Sequence, residues 1–117
     1  MTQDWARPIV HFEIEARDPQ RQRQFYAGLF HWDIGEGMIM NIPAGLGAPE
    51  AGPAGHIRAG ARPGVTLYVQ VRDLSESLAR AVELGGAVVL DRLDVPNGPT
   101  LAAITDPEGN PVTLVQQ

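Results

Sequence analysis

Two stretches of this chain repeat one pattern and limit what it can fold into. From Phe12 to Ala16, apolar residues (Phe12, Ile14, Ala16) alternate with charged ones (Glu13, Glu15), and His11 is in phase with the charged set. A period of two predicts a strand with one dry face and one polar face. Asp18-Pro19 follows as a helix start, with a side-chain acceptor at the N-cap and a proline where its missing N–H costs nothing. The pattern returns 55 residues on, in Thr66-Leu67-Tyr68-Val69-Gln70-Val71-Arg72-Asp73. Thr66, Tyr68 and Gln70 stand in the places of His11, Glu13 and Glu15. The chain therefore reads as two copies of one strand–helix–strands unit, about 8–60 and 64–116, whose polar strand faces could line a shared site.

Between these anchors the first helix is expected from about Pro19 to Leu29, with Phe25, Tyr26 and Leu29 as its apolar stripe and Arg21 and Arg23 toward water. Phe30–Ile34 reads as the entry to a second strand and Met38–Ile42 as a third. Met38, Met40 and Trp32 are expected in the core or a cavity wall. Residues 43–63 are rich in Ala, Gly and Pro, with Glu50, His56, Arg58 and Arg62 scattered among them. They suit a crossover or a loop beside the site, with a short strand near 55–59. In the second unit, Asp73 caps a helix from Leu74 to about Leu84, and Gly85-Gly86 stops it. Strands follow at about 87–92, 100–105 and 111–116, with a tight turn at Asp106-Pro107-Glu108-Gly109-Asn110. The order is βαβββ twice, an α+β arrangement.

Composition removes whole classes of chemistry. The chain has no cysteine, so disulfides, thiolate nucleophiles and cysteine-held metals are excluded. All nine basic residues are arginine, which excludes Schiff-base lysines. Ser75 and Ser77, the only serines, fall in a predicted helix with no histidine nearby, which argues against a serine triad. A net charge of −5 argues against nucleic acid or an anionic membrane as partner. No apolar run approaches bilayer length, and Met1–Trp5 lacks an apolar signal core, so a cytoplasmic protein is expected.

The residues left for chemistry sit on the polar strand faces. His11 is either a base or ligand contact, or a histidine satisfied inside a polar pocket. Glu13 and Glu15 are either a paired acid and base or a solvated strand face, with Glu13 nearer the strand middle. Tyr68, aligned with Glu13, could donate to a ligand oxygen or simply pack. Thr66 and Thr113 suit hydrogen-bonding wall residues. His31, just past a helix, suits the negative end of the helix dipole. His56, in the Gly/Pro-rich segment, suits a gate-side contact.

With His11-Phe12-Glu13-Ile14, Asp18-Pro19, Phe25-Tyr26, Phe30-His31-Trp32, Val69-Gln70-Val71-Arg72-Asp73, Gly85-Gly86 and Asp106–Asn110 in this order, the chain resembles the vicinal oxygen chelate superfamily over about residues 8–116. That group includes glyoxalases, bleomycin-resistance proteins and extradiol dioxygenases. The resemblance implies two βαβββ modules forming a cupped, partly open mixed sheet with helices outside, a small-molecule cavity, and a homodimer. It also implies a divalent metal held by four strand residues in the metal-dependent members. Of those positions His11 is retained, but the equivalents are Thr66 and Thr113, and the fourth falls near Gly55-His56-Ile57-Arg58. Threonine hydroxyls are poor ligands for such metals. A set of His11, His56 and Glu13 is conceivable, but the expectation is no complete metal site and no cofactor. The leading reading is a binder of a small organic molecule through His11, Glu13, His56, Thr66, Tyr68 and Thr113. The alternatives are a lyase, isomerase or dioxygenase using His11 or Glu13, and an interaction module without cavity chemistry.

Overall fold

A computed structural model describes residues 5–45 and 52–116. Its elements are β1 (Ile9–Ala16), α1 (Pro19–Phe30), β2 (Ile39–Ile42), β3 (Ala54–Ala59), β4 (Gly64–Gln70), α2 (Leu74–Glu83), β5 (Ala87–Asp94), β6 (Thr100–Thr105) and β7 (Pro111–Gln116). The fold is α+β. The chain forms two compact units, one of His11–Thr66 and one of the residues up to Val10 together with those from Leu67 onward. Among the described residues, no helix is long and apolar enough to cross a membrane.

In the unit of residues 11–66, β3 runs parallel to β1 and antiparallel to β2. The registers place Ile14 and Met40 on either side of Ile57. Because side chains alternate across a strand, one face of this sheet collects Ile14, Ala16, Met40, Ile42 and Ile57, which form a core with Ile34. Helix α1 covers that face through Tyr26 and Ala27, and Trp32 stacks on Tyr26 with ring centroids 5.3 Å apart. Gly55 lies under the Phe12 ring, which a Cβ at that position would approach to 2.5 Å. Only glycine fits there without moving the ring.

Asp18 caps α1 by accepting a hydrogen bond from the Arg21 amide at 3.1 Å. The helix ends at His31, whose φ of 60° is left-handed and whose N–H donates to the Ala27 carbonyl at 3.0 Å. This geometry overturns the strand expected over Phe30–Ile34. Phe30 closes the helix, and the next residues turn back to drop Trp32 and Ile34 onto the core. A single backbone bond, Gly35 N–H to the Asn41 carbonyl at 2.9 Å, stands where a ladder was expected. Arg23 does not simply face water, because its Nε donates to the carbonyls of Ile34 and Gly35 and so fixes this turn. Met38 is 92% exposed and belongs to neither core nor wall, whereas Met40 is buried. Phe25 and Leu29 are also exposed, because the narrow sheet beneath α1 covers only the Tyr26–Ala27 side of the helix.

The other unit has the clearer pattern. β4 runs parallel to β7, which is antiparallel to β6, which is antiparallel to β5. Val71, Leu74, Ala102 and Leu114 form its core under α2. Asp73 caps α2 by accepting from the Glu76 amide at 2.9 Å, and the Gln116 side chain accepts from the Leu74 amide. Asp106 closes the β6–β7 turn by accepting from the amides of Glu108 and Asn110, each at 2.9 Å. β5 is the edge strand, exposed along its whole length, and its pairing with β6 slips between Val88 and Leu90 and again between Leu90 and Leu93.

Candidate functional site

The polar face of β1 and β3 follows from the same alternation that builds the core. With β1 presenting His11, Glu13 and Glu15, the parallel register sets His56 beside Glu13 and Arg58 beside Glu15. The five side chains form one connected chain. His11 Nε2 meets His56 Nδ1 at 2.8 Å, and His56 Nε2 meets Glu13 Oε2 at 3.0 Å. Arg58 Nε lies 2.9 Å from the same Glu13 oxygen, while its Nη2 donates to Glu15 Oε1 at 3.0 Å. Glu15 Oε2 accepts from the Arg62 amide at 2.8 Å, which ties the turn after β3 to this face. A Cβ on Gly60 would fall 2.2 Å from that carboxylate, so the glycine leaves room for it.

Electrostatics sets the charge of Glu13 and the direction of the His11 shift. The hydrogen bond from His56, aided by Arg58 and opposed by burial, lowers the Glu13 carboxyl from 4.5 to about 2. Glu13 is thus ionised and can only accept, so His56 Nε2 carries a proton. One proton then lies between His56 Nδ1 and His11 Nε2. Burial first, and the charge of His56 second, push the His11 pKa below its usual 6.5, so His11 is chiefly neutral at neutral pH. Which of the two rings carries that proton follows the tautomer. The His11 ring is linked through His56 to the Glu13 charge. Such an orienting chain is what a general base needs.

Of the residues expected at a site, His11, Glu13 and His56 are brought together. Thr66 and Tyr68 lie two apart on β4, and Thr113 on β7 is the register partner of Tyr68. His31 is the C-cap of α1. Glu50 lies outside the described residues. Sequence reasoning missed Arg58 as the clamp on both glutamates. Its signal was present, since Arg58 follows His56 by two and shares its strand phase.

The donors do not suit the divalent metal of the superfamily's metal-dependent members. Two imidazole nitrogens 2.8 Å apart share a proton, and two Zn–N bonds of about 2.0–2.1 Å each at a tetrahedral angle would hold them farther apart. The Glu13 oxygen is already committed to His56 and to a guanidinium. Among the described residues, no three His, Asp or Glu side chains are arranged to hold a metal ion.

A helix-covered mixed sheet with a half-buried ionic network on its other face describes an α+β scaffold carrying a polar site, and solved structures share the scaffold. A hypothetical protein from Bacillus halodurans superposes with a TM-score of 0.70 at 12% identity, covering 97% of this chain and 96% of that one. A glyoxalase/bleomycin resistance protein/dioxygenase superfamily member from Vibrio splendidus gives 0.68 at 12% identity, with 96% and 100% covered. Methylmalonyl-CoA epimerase from Mycobacterium tuberculosis gives 0.62 at 17% identity, with 92% and 86% covered. At these identities the likeness concerns the fold. No curated protein matches the chain in sequence. The profile of the glyoxalase-like domain family matches residues 11–115, and the chain belongs to that family.

Proposed function

We propose that this protein binds a small organic molecule on the polar face of β1 and β3, with His11 as the principal contact. The observation that carries this reading is the His11–His56–Glu13 chain, a buried-side ionic relay on a sheet face that the core does not use. Glu13 and His56 position His11, and Thr66 is a further wall residue of the proposal. A thermal-shift screen against carbonyl-bearing metabolites and antibiotics, with and without EDTA, tests it. Hits are expected to keep their stabilisation in EDTA and to lose about tenfold in affinity in His11→Ala, the scale of one lost hydrogen bond to a desolvated group. Hits indifferent to both His11→Ala and His56→Ala place the ligand elsewhere.

The second reading is proton transfer, favoured by the neutral, oriented state of His11. Deuterium uptake from solvent at a carbon next to the carbonyl of a hit, abolished in His11→Ala, distinguishes it from binding alone. Its rate is expected to fall as acid protonates His11, at a pH below 6.5. We also propose a cytoplasmic homodimer. The exposed Phe25, Leu29 and Phe30 on α1 suit a partner surface. A monomer at every concentration in sedimentation contradicts the dimer.

A further inference from the structure

The unit that contains α2 holds a cavity of about 820 Å³. Its floor is Val69 of β4, Val71 just after that strand and Leu114 of β7, so it opens on the opposite side of this sheet from Tyr68 and Thr113. Ala81 of α2 and Leu84, the residue that caps its C-terminus, continue the apolar wall. Leu84 is exposed, an apolar lip that the core does not cover. The volume falls in the range of organic-ligand sites, about 300–1,000 Å³.

The rim is cationic. Arg7, Arg72 and Arg80 come to it from three separate segments, the arm before β1, the connection between β4 and α2, and the last turns of α2. The acids at the rim are Asp73 and Glu76. Asp73 is engaged in capping α2. Three guanidiniums meet at one cavity of mixed polar and apolar lining, on a chain of net charge −5. Arg7 is held in place by stacking over the Trp5 ring, 4.6 Å from its centroid, and by donating to the Trp5 carbonyl. Arg80 reaches Glu83 only at 3.8 Å, beyond hydrogen-bond range and in the open, a contact easily exchanged for a ligand anion. Guanidinium forks match carboxylate and phosphate oxygens.

We infer that this cavity is a second binding site, for a small amphiphile with an apolar body and one anionic head. The apolar body lies on Val69, Val71 and Leu114, and the head meets the arginine rim. The inference is independent of the His11 site, which belongs to the other unit.

Titrating the full, 15N-labelled chain with octanoate, octyl phosphate and 1-octanol tests it. Saturable shifts are expected at the amides of Val69, Val71, Ala81 and Leu114 at about millimolar octanoate or below. The alcohol is expected to bind about tenfold or more weakly, because it cannot form the charge-assisted bonds. Arg7→Gln and Arg80→Gln together are expected to reduce octanoate affinity about tenfold while leaving 1-octanol unchanged. Tighter binding of octyl phosphate than of octanoate identifies a phosphate head, and the reverse a carboxylate. Absence of saturation with either anion, equal affinity for alcohol and acid, or indifference to the double substitution overturns the inference. Both arginines lie at the rim and outside the core, and the dispersion of the amide spectrum reports directly that the variant is folded.

Discussion

Replacing Glu13 by glutamine is expected to destabilise the folded chain by about 2 kcal/mol at neutral pH and by much less in acid. His56 and Arg58 hold the Glu13 carboxyl at about 2, against 4.5 for an unconstrained one. The unfolded chain therefore binds a proton to this group more readily than the folded chain does. The stabilisation is complete above about pH 4.5 and is lost as the pH falls toward 2. The full shift corresponds to about 3 kcal/mol, and solvent access to Arg58 lowers that to about 2. Glutamine keeps the shape and one acceptor but has no charge to lose. Urea unfolding of both proteins between pH 7 and pH 3 measures the gap, which is expected to shrink by more than half. A gap that stays constant across that range means the ionic chain contributes nothing to folding.

Ile57→Ala is expected to cost more, about 3–4 kcal/mol, while Ile57→Val costs about 1. Ile57 is fully buried, and its strand is paired on both sides, with Ile14 and Met40 as its register partners. Those ladders hold the neighbouring strands apart, so the hole left by alanine cannot close. For a domain whose whole stability is about 5–15 kcal/mol, this single change removes a large share. Denaturant titration at neutral pH decides it. A loss below about 1.5 kcal/mol means that the core repacks around the gap.

The parts that were legible in the sequence are the ones whose signals are local. Period-two alternation in β1 and β4 located both strands, and Asp18-Pro19 and Asp73 marked both helix starts. The short strand at β3 was expected from the need for another strand near residues 55–59, and Ala54–Ala59 supplies it. What failed depended on distant surroundings. Phe30–Ile34 has strand-like residues, yet the left-handed turn at His31 and the core site waiting for Ile34 decide its path. The α1 stripe was overcounted because helical spacing shows which residues share a side, and not how much sheet lies beneath them. At the site, His11 and Glu13 were evident from phase alone. That His56 sits between them, and that Arg58 clamps both glutamates, comes from the parallel register of two strands about forty residues apart. No local pattern encodes that register.

The two slips in the pairing of β5 with β6 bear on how the protein behaves when concentrated. An outermost strand of eight residues carrying Val88, Val89, Leu90 and Leu93 in the open would ordinarily template the addition of a foreign strand. The slips break its outward row of amides and carbonyls into short, misaligned pieces, too irregular for another chain to zip onto. Excising one bulge residue, which would straighten the strand, removes that safeguard and exposes the molecule to fibrous self-assembly.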